Sequence, residues 1–194
     1  MYRAIQILAQ WLCCLFALAF LVICGWVYVW IRHGWNAREI PSRAEVVLAR
    51  TIRWLSIPKE AKEAKNPFAP SPELLKEARR HFADHCALCH ANDGSGDTPV
   101  GRNLYPKPLD LRSPEVQKET DGELYYIIHN GLRLTGMPAW GEPNEDPDSW
   151  KLVLFIRHLP QLTEEEKKEM EKWNPKNPQE RAEEEEEEKF LQGQ

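Results

Sequence analysis

Between Trp11 and Ile31 the chain runs for 21 residues without a charged side chain, and this run constrains its own conformation more than any other stretch. In a bilayer every backbone N–H and C=O must find its partner within the segment, so an apolar run of this length has to be helical. At 1.5 Å per residue it reaches about 32 Å, close to the thickness of one hydrocarbon core. Trp11 near one end and Trp26, Tyr28 and Trp30 near the other suit the interfacial zones, where an amphipathic ring meets both water and acyl chains. The run is too long for a signal-peptide core and has no small-x-small exit. Leu21-Val22-Ile23-Cys24 places bulky Ile23 where a lipoprotein cleavage box needs a small residue. Residues 1–32 are therefore expected to form an uncleaved N-terminal transmembrane anchor, in which Cys13, Cys14 and Cys24 serve as small apolar packing residues.

The chemistry lies downstream, in Cys86-Ala87-Leu88-Cys89-His90. Two thiols three positions apart, followed at once by an imidazole, form the attachment pattern of a c-type haem. Each thiol can add across one vinyl group, and the bend between the two thioethers swings His90 under the ring as proximal iron ligand. A structural zinc site needs a second pair of Cys or His at ligand spacing, and the other cysteines sit in the apolar run. A thioredoxin-like pair belongs beside a strand-helix-strand pattern, which this sequence lacks. Charge adds a further exclusion. Residues 1–65 carry nine Lys/Arg against four Asp/Glu, whereas residues 66–179 carry fourteen against nineteen. The basic residues make no stripe on the folded part, so nucleic acid is not an expected partner.

The remaining chain reads as one small domain with attachments. Ser42-x-x-Glu45 is a capping box opening a helix to Leu55, with Ala44, Leu48, Ile52 and Leu55 on one face and Arg43, Arg50 and Arg53 on another. Its apolar face suits a membrane surface or a partner subunit equally. Residues 56–71, with Pro58, Pro67 and Pro70 among alternating Lys and Glu, read as a semi-extended spacer. Residues 33–71 thus form a juxtamembrane amphipathic helix and a Pro-containing linker.

A haem domain is expected over residues 72–160. Ser71-Pro72 is an N-cap with proline in the first helical position, and Leu75, Ala78 and Phe82 share one face of the helix leading to Cys86. Gly94 to Asp97 reads as a solvated turn, since its acidic residues do not follow calcium-loop spacing. Pro99 to Pro114 is irregular and suits a wall against a haem face. Asp121, as N-cap, opens a helix to Asn130, with Gly131 as its stop, Tyr125 and Ile128 inward and His129 partly exposed. Asp148 or Ser149 caps a helix from Trp150 to Leu159. Residues 161–194 add a helix with the capping box Thr163-x-x-Glu166 and a tail containing Glu183 to Glu188, a block that is usually disordered.

A sixth ligand is sought in Gly136-Met137-Pro138-Ala139-Trp140. Glycine permits a tight approach and proline fixes the next backbone step, so Met137 is held in an irregular loop. Met1 is the initiator and Met170 stands in a charged helix, which leaves Met137 as the thioether candidate for iron.

On these residues, the segment from about Leu74 to Leu159 resembles a class I cytochrome c, closest to the small monohaem domains of the cbb3-oxidase subunit III type. The resemblance rests on Cys86-x-x-Cys89-His90, the Asp121-Gly122-Glu123-Leu124…Asn130-Gly131 helix, Gly136-Met137-Pro138 and a closing aromatic-aliphatic helix. It implies an all-α fold of helices wrapped around one covalently attached haem c, with crossing terminal helices. It also implies a proline carbonyl accepting the His90 Nδ1 proton, for which Pro99, Pro106 and Pro108 all stand open. Arg102, Tyr105, Arg133 and Trp140 are the candidate propionate partners.

With His90 and Met137 both on iron, the expected activity is single-electron transfer rather than catalysis. The expected partners are redox proteins of a membrane respiratory complex and the lipid bilayer. Two alternatives stand beside it: a haem enzyme or gas sensor in which Met137 is displaced, and an assembly subunit with a structural haem. Arg32, Arg38 and Arg43 follow the span and only Arg3 precedes it, a bias toward a cytoplasmic domain. The resemblance implies the opposite, a bacterial inner-membrane protein with its haem domain on the periplasmic side, and the chemistry of attachment outweighs a charge bias.

Overall fold

The computed structural model describes residues 2–34, 36–142, 146–176, 186 and 189–190. All but one residue of the glutamate block read as a disordered tail lies outside them. The chain divides into two units, residues 1–36 and 37–194. In the first, α1 (Tyr2–Arg32) is one continuous helix, and Ile5–Arg32 is long and apolar enough to cross a membrane. Its large apolar side chains, Trp11, Phe16 and Leu21 among them, are exposed, as lipid contact requires.

The second unit is helical, with no strand among the described residues. It contains α2 (Arg43–Ser56), α3 (Lys59–Glu63), α4 (Pro72–His81), α5 (Ala87–His90), α6 (Pro114–Gln117), α7 (Asp121–Asn130), α8 (Pro147–His158) and α9 (Glu164–Glu171). Helix α4 packs on α8. At their contact Phe82 meets Phe155 with ring centroids 5.1 Å apart and planes tilted by 59°. Around this pair Ala78, Val116, Leu124, Ile128, Leu152, Val153 and Leu159 close the core. A fully buried side chain of this size stabilises by about 1.5–3 kcal/mol.

The expected capping boxes of α2 and α9 are both formed, and Ser71 caps α4 by accepting from the Leu74 N–H. Two other caps differ from expectation. Thr120, not Asp121, caps α7 and forms a box with Glu123. Asp146 caps α8, accepting from the Ser149 N–H, with Pro147 in the first turn. In each case the residue three positions ahead of a receptive N–H wins.

Residues 57–71 are not an extended spacer. Ile57 is buried, Thr120 Oγ1 donates to the Lys62 carbonyl at 2.9 Å, and Asn66 Nδ2 donates to the Trp150 carbonyl at 2.9 Å. Gly122 lets α7 approach the α3 backbone so closely that a Cβ there would stand 1.8 Å from the Ala61 oxygen. Pro58 stands at the start of the short helix, whose C-cap, Ala64, comes before Pro67, and the segment remains tied to the domain.

Met170, expected in a merely charged helix, is fully buried. It draws α9 onto the core, where Arg79 of α4 pairs with both Glu166 and Glu169. Beyond α9, Asn174 donates to the Ala83 carbonyl at 3.0 Å and exchanges bonds with Asn92.

Candidate functional site

Helix α4 does not run straight into the Cys86–His90 segment. Residues Phe82–Cys86 form a π turn, closed by the Ala87 N–H on the Phe82 carbonyl, and α5 follows directly. Single π turns inside helices recur at functional sites because they rotate the next side chains out of the α-helical register. Here the turn points Phe82, Ala83 and Ala87 into the core, while Leu88 is 56% exposed and Cys86 and Cys89 are half-buried.

The helix ends at Ala91, which has φ 61°, a left-handed conformation that costs a residue with a Cβ about 1–2 kcal/mol. Four backbone and hydroxyl hydrogen bonds hold this turn. Gly96 N–H donates to the His90 carbonyl at 2.8 Å, and Leu111 N–H to the Gly94 carbonyl at 2.8 Å. Thr98 Oγ1 donates to the Leu88 carbonyl at 2.8 Å and accepts from the Gly101 N–H. Gly101 allows the contact: a Cβ would stand 2.6 Å from the Cys89 oxygen. Gly94 and Gly96 are buried, so the stretch expected as a solvated turn is a packed one.

Burial lowers the His90 pKa to about 4, so the imidazole is neutral at physiological pH, the form that binds a metal. Its Nδ1 is buried and has no hydrogen-bond partner. Burial pushes the Cys86 thiol up to about 12, with Cys89 adding to the effect, and also raises Cys89. Among the described residues no three His, Cys, Asp or Glu side chains come together as a metal-holding group. The donor set therefore fits a prosthetic group that brings its own metal, with thiols to bond it and one neutral imidazole.

Met137 is brought in by a loop folded back on α7. Leu132 N–H donates to the Met137 carbonyl at 3.1 Å, Trp140 N–H to the Ile128 carbonyl at 3.1 Å and Gly141 N–H to the His129 carbonyl at 3.0 Å. Thr135 Oγ1 accepts from the Met137 N–H at 3.1 Å. Gly131 (φ 67°) admits the return, since a Cβ would stand 2.6 Å from the Ala139 nitrogen, and Gly136 sits against the Leu104 side chain. Met137 and Cys86, 51 positions apart in the sequence, thereby pack against the same apolar cluster, as do Leu109, Leu111 and Tyr125.

His129 stays out of the site: its Nδ1 bonds Asp146 Oδ2 at 2.7 Å. Two of the four candidate propionate partners are engaged elsewhere, Arg102 with Asp97 at 2.5 Å and Tyr105 with Glu45 at 2.7 Å. Trp140 stands edge-on to His85. Sequence reasoning missed Thr98, Gly101, Thr135 and Leu104, whose roles arise only when two loops meet.

The family described as cytochrome C oxidase, cbb3-type, subunit III matches residues 73–156. A Cbb3-type cytochrome c oxidase subunit FixP from Sinorhizobium medicae is 32% identical over 93 residues, which cover 47% of this chain and 30% of that protein. The chain thus spans less than a third of the curated relative's length. The match opens just after the cap of α4, closes inside α8, and encloses Cys86–His90 and Met137. Over residues 73–156 the chain is similar to the cytochrome c domain of cbb3-type oxidase subunits, a likeness that implies covalently bound haem c.

Proposed function

We propose that this chain is a membrane-tethered monohaem electron carrier, with haem c bonded through Cys86 and Cys89 and ligated by His90 and Met137, serving redox partners in a respiratory membrane complex. One observation carries the reading: a half-buried, neutral imidazole with a buried Nδ1 follows two half-buried thiols, and the methionine loop packs on the same cluster as the first thiol. Haem c supplies reversible one-electron exchange at its iron. The chain's residues do the rest. The π turn and the Thr98–Gly101 brace fix His90, and the unpartnered Nδ1 calls for an acceptor. Of the three candidate prolines, the Pro108 carbonyl is the one that lies against Gly96, 3.0 Å from the place of a Cβ, and Gly96 itself holds the His90 carbonyl. We assign Pro108 that role; such a bond fixes the ring and raises its basicity. Met137 would hold the haem iron from the methionine loop and leave no place for a substrate there, and a thioether ligand with burial would favour the reduced state. The anchor raises the effective concentration of the domain near membrane partners, and the attachment chemistry puts the domain on the outer side of a bacterial inner membrane.

The test is the absorption spectrum of the haem-loaded chain in both oxidation states, with carbon monoxide added to the reduced form. A low-spin spectrum with a thioether-to-iron band, unresponsive to carbon monoxide, is expected. Met137→Ala should abolish that band, admit carbon monoxide and lower the potential. Ready binding of carbon monoxide by the parent chain would sink the carrier assignment in favour of catalysis or sensing.

A further inference from the structure

Helix α2 faces the domain with its charges and faces outward with its apolar side chains, the reverse of an ordinary surface helix. Val46, Arg50, Arg53 and Ile57 follow one another at helical spacing and make the inner side. Arg50 pairs with Glu115 at 2.9 Å, Arg53 pairs with Glu119, and Glu45 accepts from the Tyr105 hydroxyl at 2.7 Å. On the opposite side Val47, Leu48, Ile52, Trp54 and Leu55 are each between 57% and 67% exposed. No residue of α2 is buried.

Three observations say what covers this face. Helix α2 begins after only ten residues beyond Arg32, the end of α1. Ten extended residues reach at most about 36 Å, so α2 cannot leave the neighbourhood of the membrane that holds the anchor. From Arg32 to Arg43 the chain carries three arginines, Arg32, Arg38 and Arg43, against Glu39, and the next carboxylate, Glu45, is taken up by Ser42 and the Tyr105 hydroxyl; the basic excess at this end suits anionic headgroups. The arc from Trp54 through Leu48 to Ile52 spans about 160° at 100° per residue. It is wider than the narrow seam that one partner helix would cover, and it has a tryptophan at its border, with the Lys62 ammonium 3.8 Å above that ring.

We propose that α2 lies in the membrane–water interface of a bilayer containing anionic phospholipid, its Val47, Leu48, Ile52 and Leu55 side chains among the upper acyl chains, and carries the cytochrome c domain on its inner side. The ion pairs to Glu115 and Glu119 then make the helix a platform that fixes how the domain faces the membrane. This rests on the anchor assignment above.

Spin labels on the haem-loaded chain, in vesicles of phosphatidylglycerol and phosphatidylethanolamine, test it through relaxation by oxygen, which concentrates in lipid, and by a water-soluble nickel chelate. Three proteins are needed: one retaining Cys24 with Cys13 and Cys14 changed to Ala, and two with all three changed to Ala plus either Leu48→Cys or Ala49→Cys. The proposal expects a label at position 48 to favour oxygen severalfold over the label at position 49, which looks to the aqueous flank. A Leu48 label open to the nickel chelate while the Cys24 label is oxygen-rich overturns the docking and leaves the anchor standing. A Leu48 label reached by neither reagent overturns it too, and assigns the face to a protein partner. A Cys24 label open to nickel removes the anchor and the docking together.

Discussion

Gly122→Ala asks whether residues 57–66 belong to the domain, and the answer is a sign. The added Cβ would stand 1.8 Å from the Ala61 oxygen, and 3.0 Å from the Ala61 carbon and the Ala64 oxygen. Real Cβ atoms essentially never come within 3.0 Å of another heavy atom, so the two helices must part by at least 1.2 Å, the difference between 3.0 and 1.8. Both obstacles are backbone, with no side chain to swing away. Overpacking of this kind costs about 1–3 kcal/mol. Against it stands the gain in helix propensity from Gly to Ala, at most about 1 kcal/mol and less in the first turn. The net expectation is a loss of about 1–2 kcal/mol, rising if α3 is released altogether, since the Thr120 bond to Lys62 and the burial of Ile57 would go with it. Urea denaturation of the full chain in detergent reads the stability. Trypsin reads the release, because Lys59, Lys62 and Lys65 lie on the segment that would come free. A variant as stable as the parent, or more so, and no faster to be cut, would refute the docked arrangement.

The remaining expectations concern the far side of the core. Met170→Ala removes a fully buried side chain and should cost about 2–5 kcal/mol, measured by chemical denaturation; a change below about 0.5 kcal/mol would mean α9 is not part of the core. Arg79→Met strips the cation from Glu166 and Glu169. Breaking a buried pair costs about 3–5 kcal/mol, and because these carboxylates are a fifth to a third exposed, about 2 kcal/mol is expected in the same assay. Acid should destabilise the domain. Burial would raise Asp146, Glu166 and Asp93, but hydrogen bonds from Ser149, Thr163 and Ser95 and nearby cations outweigh it, and all three fall below their ordinary values. The unfolded chain then binds more protons, so this contribution is complete above about pH 5 and is lost as the pH falls through and below about 4. Glu119, raised by burial, acts in the opposite direction and is outnumbered. Urea midpoints that do not fall between about pH 6 and about pH 3.5 would contradict this balance.

What the sequence made legible was local. An uncharged run, two thiols and an imidazole within five residues, and serine or threonine three residues before glutamate each carry their meaning in adjacent positions, so α1, the site candidates and the caps of α2 and α9 could be read directly. Thr120-x-x-Glu123 carries that same signal, but Asp121 beside it is also a good cap and drew the reading away; the reach of Glu123 back to Thr120 decides between them. The docking of Ala61 on Gly122, the double pairing of Arg79 with residues 87 and 90 positions away and the burial of Met170 depend on contacts that no periodicity announces. Within the site the ligand candidates were visible, whereas the Thr98–Gly101 brace and the seat of Gly136 on Leu104 were not, because each joins two irregular loops.

The contacts that close α9 and Asn174 over Ala83 and Asn92 join residues 82 and 91 positions apart. Contacts of such sequence separation form late, because a long loop must be closed before they give anything back. During synthesis the Cys86–His90 segment is therefore made well before its cover, and it stays open until the chain has been extended to about residue 174. Helix α9 and Asn174 then act as a latch, shutting over the flanks of a segment made long before them.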